Sequence, residues 1–183
     1  MKKIRSIVFG VLCVFMLAHN SFSQNTEWTV NSATVKFKIK NAGFMVDGVF
    51  TGLTAKISFD ETKSYGNSIE ATVDSKSVNT GNDSRDGHLK KAEYFDVEKY
   101  PKITMKATVF SKEKDGTYKG YFKITMKDKS KDLFVPFTFS EKDGKTNFKG
   151  SFTINRLDFT VGESSMILSN NVTLFLEVNA IKK

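Results

Sequence analysis

The chain is predicted to be all-β, an antiparallel sandwich or a closed barrel of roughly eight to ten strands. Three observations predict it. Apolar and polar residues alternate with period two, as in Val35-Lys36-Phe37-Lys38-Ile39-Lys40. Short turn sequences such as Lys114-Asp115-Gly116 and Lys142-Asp143-Gly144-Lys145 divide the alternating runs. Strands never alternate with helical patterns, and no internal repeat is visible.

Taken in order, residues 1–23 read as a secretory signal peptide. Lys2, Lys3 and Arg5 form a basic start, Ile7 to Ala18 an apolar core, and Ser21 and Ser23 supply small residues for a cut before Gln24. Cys13 lies inside the apolar core and would leave with it, so the mature chain, 24–183, is expected to carry no cysteine. Val35, Phe37 and Ile39 then mark a first strand, and Phe44 to Thr51 a second. Leu53, Ala55, Ile57 and Phe59 mark a third, and Ile69, Ala71 and Val73 a fourth. Ile103, Met105, Ala107 and Val109 resume the pattern. Tyr118, Phe122, Ile124 and Met126 follow, then Leu133, Val135, Phe137 and Phe139, then Phe148, Phe152 and Ile154. The last strand carries Val172, Leu174, Leu176, Val178 and Ala180.

Asp74 to Met105 is the one long interruption, and loops beyond about 12–15 residues usually carry function. Asn82, Asp83 or Ser84 can cap a short helix running to about Ala92, and a further helical turn is expected at 93–97 before Pro101. The helical excursion thus spans residues 82–100. It holds His88, the one histidine expected to survive maturation.

Composition narrows the function. The formal charge of +8 falls to +5 when Lys2, Lys3 and Arg5 leave, and the remaining lysines are interspersed with acids rather than gathered in a stripe. That argues against nucleic acid and leaves weak attraction to an anionic membrane surface. One histidine beside Asp83 and Asp86 is a poor metal set, and 83–87 lacks the spacing of a calcium loop. Neither a Gly-x-Ser-x-Gly elbow nor a phosphate-binding glycine loop occurs. No catalytic residue, metal or cofactor is expected.

The stronger signal is apolar, with 17 Phe against one Trp. In a barrel the inward rows gather Phe37, Ile57, Phe59, Phe122, Ile124, Phe137, Phe139, Phe152, Leu174 and Leu176, the candidates to line a pore. By pattern alone an ordinary filled core is the favoured reading. Phe110, Tyr121, Phe134 and Phe175 fall on the opposite faces. Leu89, Tyr94, Phe95 and Tyr100 of the excursion, or a second subunit, would cover them.

Several motifs resemble the YceI-like family. Trp28-Thr29-Val30 followed by Ser32-Ala33-Thr34-Val35-Lys36-Phe37 resembles its opening. Arg85-Asp86-x-His88-Leu89, Tyr94-Phe95-Asp96 and Lys99-Tyr100-Pro101 resemble its central segment, and Arg156-x-Asp158-Phe159 a later element. The resemblance implies a lipocalin-like antiparallel barrel of about eight strands, exported to the periplasm, whose elongated apolar pore binds a polyisoprenoid or isoprenoid quinone. Two departures stand out: Asn41 replaces a frequent histidine, and Lys127 to Lys131 replaces a more apolar turn. The expected function is non-enzymatic sequestration or carriage of such a lipid. Arg85, His88 and Arg156 are candidates for its head group. A tail of about 40 atoms at about 0.3 kcal/mol each would gain roughly 12 kcal/mol. A filled barrel acting as a structural or interaction protein, such as a homodimer, is the alternative.

Overall fold

The computed structural model describes residues 25–183. The expected signal peptide and Cys13 lie outside the described residues. Nine strands run in sequence: β1 Glu27–Asn41, β2 Phe44–Phe50, β3 Thr54–Ser58, β4 Ser68–Asp74, β5 Lys102–Lys112, β6 Tyr118–Met126, β7 Lys129–Lys142, β8 Lys145–Asn155 and β9 Leu168–Lys182. Each pairs antiparallel with its neighbour from β3 through β9, and β9 returns to β1 from Trp28↔Lys182 to Asn41↔Leu168. The last half of β1 pairs with β2 and its first residues with β3, so β2 and β3 share one position around the ring. The result is a closed, eight-stranded antiparallel barrel, and the outer edge of β2 meets the segment after β4 through the single bridge Val49↔Asn79.

Inward residues follow the rows expected from period two, and Phe122, Phe137 and Phe152 share one interior. β5 departs from its row. A bulge between Ala107 and Val109 shifts the register against β6 by one residue. Phe110, expected outside, therefore turns in against Phe59 and Phe122, and Val109 turns out to solvent. Period-two reasoning fails there because the inserted residue has no partner.

The excursion caps one end of the barrel. Its base is closed by Ser75 N on Pro101 O at 2.9 Å and by Ser75 Oγ on Tyr100 O at 2.7 Å. Asn79 exchanges two backbone hydrogen bonds with Val49 of β2. Helix α1, Asp83–Leu89, starts where Asn82 Oδ1 accepts from Arg85 N at 2.9 Å. The helical turn expected at 93–97 is instead a series of turns, with Asp96 in the left-handed region at φ 49°. Nor do the excursion's aromatics cover the outer wall. Leu89, Tyr94 and Phe95 pack into the barrel end, while Tyr121 and Phe134 remain exposed against each other at 5.0 Å.

The inward apolar residues form two clusters. At the end away from the excursion, Phe59 is 1% exposed and its ring meets those of Phe139, Tyr118, Phe110, Phe148 and Phe137 at 4.9–5.8 Å. Trp28 locks this plug, with its indole N–H donating to Phe59 O at 2.8 Å. Ile57 and Ala180 complete it. The other cluster gathers Phe37, Phe50, Phe95, Phe152, Ile154 and Phe159 beneath the excursion.

Candidate functional site

The half of the barrel under the excursion is hollow. A cavity of about 240 Å³ is walled by Phe37 and Ile39 of β1, Val46 and Phe50 of β2, Met126 of β6, Ile154 of β8, and Val172 and Leu174 of β9. Thr80, Arg85, His88, Leu89, Tyr94, Phe95, Arg156, Val161 and Leu168 roof it, and Asn41 stands at its rim. Phe50, Met126, Ile154 and Leu174 also bound a second cavity of about 80 Å³ toward the middle of the barrel. Its other walls include Val35, Leu53, Val73, Met105, Ile124, Phe152 and Leu176. Below these the aromatic plug fills the interior.

Local sequence explains the roof. Helix α1 is short, with Gly87 in its last turn and a series of turns at 92–95 after it, and both Arg85 and His88 border the cavity. Arg85 Nε donates to Thr80 Oγ1 at 2.7 Å and Nη2 to Thr80 O at 3.0 Å. Thr80 Oγ1 in turn donates to buried Asp86 Oδ1 at 2.5 Å, which also accepts from Thr80 N at 2.9 Å. The exposed ring of His88 stands edge-on to Tyr94 at 5.1 Å.

Arg156 opens a 3₁₀ turn, Arg156–Phe159, that follows β8 directly. It is 4% exposed and clamps the returning loop. Nε donates to Ser169 O at 3.0 Å, Nη1 to Val161 O at 2.8 Å, and Nη2 to Glu163 O at 2.7 Å and Asn170 Oδ1 at 3.2 Å. Burial pushes its pKa below the ordinary value, with Tyr94 opposing. Gly162 is required here: at φ 69° its Cβ would stand 2.8 Å from Tyr94 Cε1 and 2.9 Å from Arg156 Nη1. The Lys127 turn is a strut rather than a mouth, since Nζ donates to Ala92 O and Thr160 O at 3.1 Å each.

The candidate pore residues divide between cavity and plug. Phe37 and Leu174 line the larger cavity, and Ile124, Phe152, Leu174 and Leu176 the smaller. Ile57, Phe59, Phe137 and Phe139 belong to the plug and line neither. Phe122 is buried in the upper cluster with its ring over Gly120, and it too lines neither. Arg85, His88 and Arg156 converge on one cavity. Sequence reasoning missed Phe50, Thr80, Met126, Val161 and Leu168 as wall residues. Phe50 and Met126 continue inward rows and were findable by parity. Val161 lies in the loop after the 3₁₀ turn, where no period applies, and Leu168 opens β9 at the parity of Val172 and Leu174.

Next in sequence to the wall residues Val46 and Leu168 lie exposed apolar residues. Phe44 continues the inward row of Val46, Gly48 and Phe50 but is 78% exposed, because the β1–β2 hairpin overshoots the barrel end. Ala42 N donates to Ile167 O at 2.8 Å, so Phe44 and Met45 sit on a hairpin tied to the loop bearing exposed Met166 and Ile167.

Comparison with known proteins gives a consistent picture. A UPF0312 protein of Pseudomonas fluorescens is 31% identical over 162 residues, covering 82% of each chain. The crystal structure of a Campylobacter jejuni YceI protein superposes with a TM-score of 0.69 at 31% identity, covering 75% of this chain and 85% of that one. Burkholderia cenocepacia BcnA shares the fold with a TM-score of 0.77 at 23% identity, over 80% of this chain and 95% of that one. A polyisoprenoid-binding domain from Saccharophagus degradans shares it with a TM-score of 0.68 at 13% identity, over 87% and 99%. The YceI-like domain matches residues 28–180. An eight-stranded barrel, capped at one end by the excursion and matched over nearly all its described length, makes this chain a member of the YceI-like family.

Proposed function

We propose that this barrel binds the apolar tail of an isoprenoid-type lipid, of the prenyl or quinone kind, and carries or sequesters it without chemical change. The observation that carries the reading is the apolar cavity beneath the excursion, whose wall residues Val46 and Leu168 lie close in sequence to exposed Phe44 and Ile167. Removing a tail from water into such walls is favourable at about 25 cal/mol per Å². The polyisoprenoid-binding neighbour supports the ligand class.

The plug limits how much tail the barrel accepts. From Asn41 to Val35 on β1, six residues at about 3.3 Å each and a strand tilt of about 40° give a depth of roughly 15 Å. Three trans bonds span about 3.8 Å, so a four-bond isoprene unit spans about 5 Å, and about three to four units fit. Their ~15–20 heavy atoms gain about 5–6 kcal/mol, tens to hundreds of micromolar, less than the roughly 12 kcal/mol of a fully enclosed 40-atom tail. A longer tail continues out over the rim. Exposed Phe44, Met45, Met166 and Ile167 support peripheral contact with the lipid surface that supplies it.

Export to the periplasm, with a cut before Gln24, belongs to the same proposal. The intact mass of the exported protein tests it, and a lipidated Cys13 would refute it. A second reading, docking of a partner such as another copy of the chain, is favoured by the exposed row Val109, Tyr121 and Phe134 across β5, β6 and β7. Mass spectrometry of organic extracts from natively purified protein separates the two. An isoprenoid in the extract is expected. Lipid-free protein that, after stripping, also takes up no fluorescent isoprenoid probe would leave the docking reading.

A further inference from the structure

We infer that the ligand is an acidic amphiphile, its carboxylate or phosphate head group held between Arg85 and Arg156 and its tail in the cavity below. The inference rests on the lipid-binding reading and names the chemistry of the end that reading leaves open. Arg85 and Arg156 both line the larger cavity, whose wall includes no aspartate or glutamate. Neither arginine joins an ion pair among the described residues.

The two arginines are neutralised to different degrees. Asp86 stands one hydroxyl away from Arg85, behind Thr80, and shares its charge through that bridge. Arg156 is answered only by neutral oxygens, four from the backbone and one from Asn170. Burying a cation without an anion is costly, and a hydrogen-bonded anion brought to the site relieves that cost. Donors are in hand for it. A guanidinium carries five N–H groups. Both Nη1 hydrogens of Arg85 and one of Arg156 meet no acceptor among the described residues. Charge-assisted bonds from such donors to a carboxylate or phosphate are about twice as strong as neutral ones, and an alcohol or a quinone carbonyl cannot supply the charge. His88 and Tyr94 flank the same roof and add polar contacts without adding an acid.

Matched pairs of ligands test the inference on the purified chain stripped of lipid. One pair is oleate and oleyl alcohol, and the other farnesyl monophosphate and farnesol, each titrated by displacement of a fluorescent isoprenoid probe. At least one acid is expected to bind about tenfold more tightly than its alcohol, about 1.4 kcal/mol. Which pair shows the preference tells carboxylate from phosphate. Arg85→Gln should abolish the preference by weakening the acid, whereas Lys123→Gln on the outer face should keep it. Arg156→Lys retains a charge but loses the planar clamp, so its melting curve is read first. If folded, it should show a reduced preference. Equal binding of acid and alcohol in both pairs overturns the inference and leaves lipid binding intact. A preference that survives both arginine variants overturns it too. Failure of every ligand and of the probe overturns the lipid-binding reading, and this inference falls with it.

Discussion

Replacing Phe59 by alanine, beside Leu174 by alanine, probes the division of the barrel into a packed half and a hollow half. Phe59 is 1% exposed, with five aromatic rings within 5.8 Å. Its truncation loses burial and opens a void that stiff neighbouring rings cannot close, which places it at the upper end of the Phe→Ala range, about 5 kcal/mol. Leu174 is half-buried and faces both cavities. Space already adjoins it, and the transfer loss is partial, so its truncation should cost about 2 kcal/mol or less. With a urea m-value of about 2 kcal/mol/M, midpoints should fall by roughly 2.5 M and 1 M. Against a total stability of about 5–15 kcal/mol, the first is enough to unfold a barrel at the low end, and Phe59→Leu then serves as the milder probe. Retention of the fluorescent isoprenoid is read on the same samples. The folded Phe59 variant should keep the probe, and Leu174→Ala should lose affinity. Equal costs for the two alanines, or loss of the probe only from the Phe59 variant, would refute the division.

Three further outcomes follow from the same geometry. Affinity for prenyl alcohols should rise from geraniol to geranylgeraniol and then level through solanesol. Phe139→Ala, which thins the plug, should move the plateau to longer chains, and a continued rise in the unaltered protein would count against a closed floor. Trp28→Phe removes the donor to Phe59 O and should cost about 1–3 kcal/mol, a fall of about 0.5–1.5 M in the urea midpoint followed by circular dichroism. Hydrogen bonds from Lys112 and Tyr118 hold the Glu61 carboxylate below its ordinary value of 4.5, and Thr62 does the same for Asp60. Depressed carboxylates stabilise the fold above their unfolded pKa, and that stability is lost as pH falls through the folded one. The melting temperature should therefore be level above about pH 5 and fall below 4.5, with a shallower acid limb in Glu61→Gln.

The sequence by itself determined the barrel strands, because burial on one face imposes period two and a one-residue slip would expose every Phe and Leu of a row. It also marked the excursion as the unusual element and singled out Arg85, His88 and Arg156, which converge on one cavity. Tertiary structure decided the rest. Alternation says which residues point inward but carries no information on depth along the barrel axis. Thus Phe59 and Phe37, equivalent in pattern, end in a plug and a cavity wall. The bulge at Ala107–Val109, which exchanged Phe110 for Val109 inside, depends on pairing with β6 and has no local signature. The roof depended on contacts far apart in sequence, Lys127 to Ala92 and Thr160, and Asn79 to Val49. Local patterns set the direction of a side chain, but whether it meets another side chain or a void is set by other strands of the barrel.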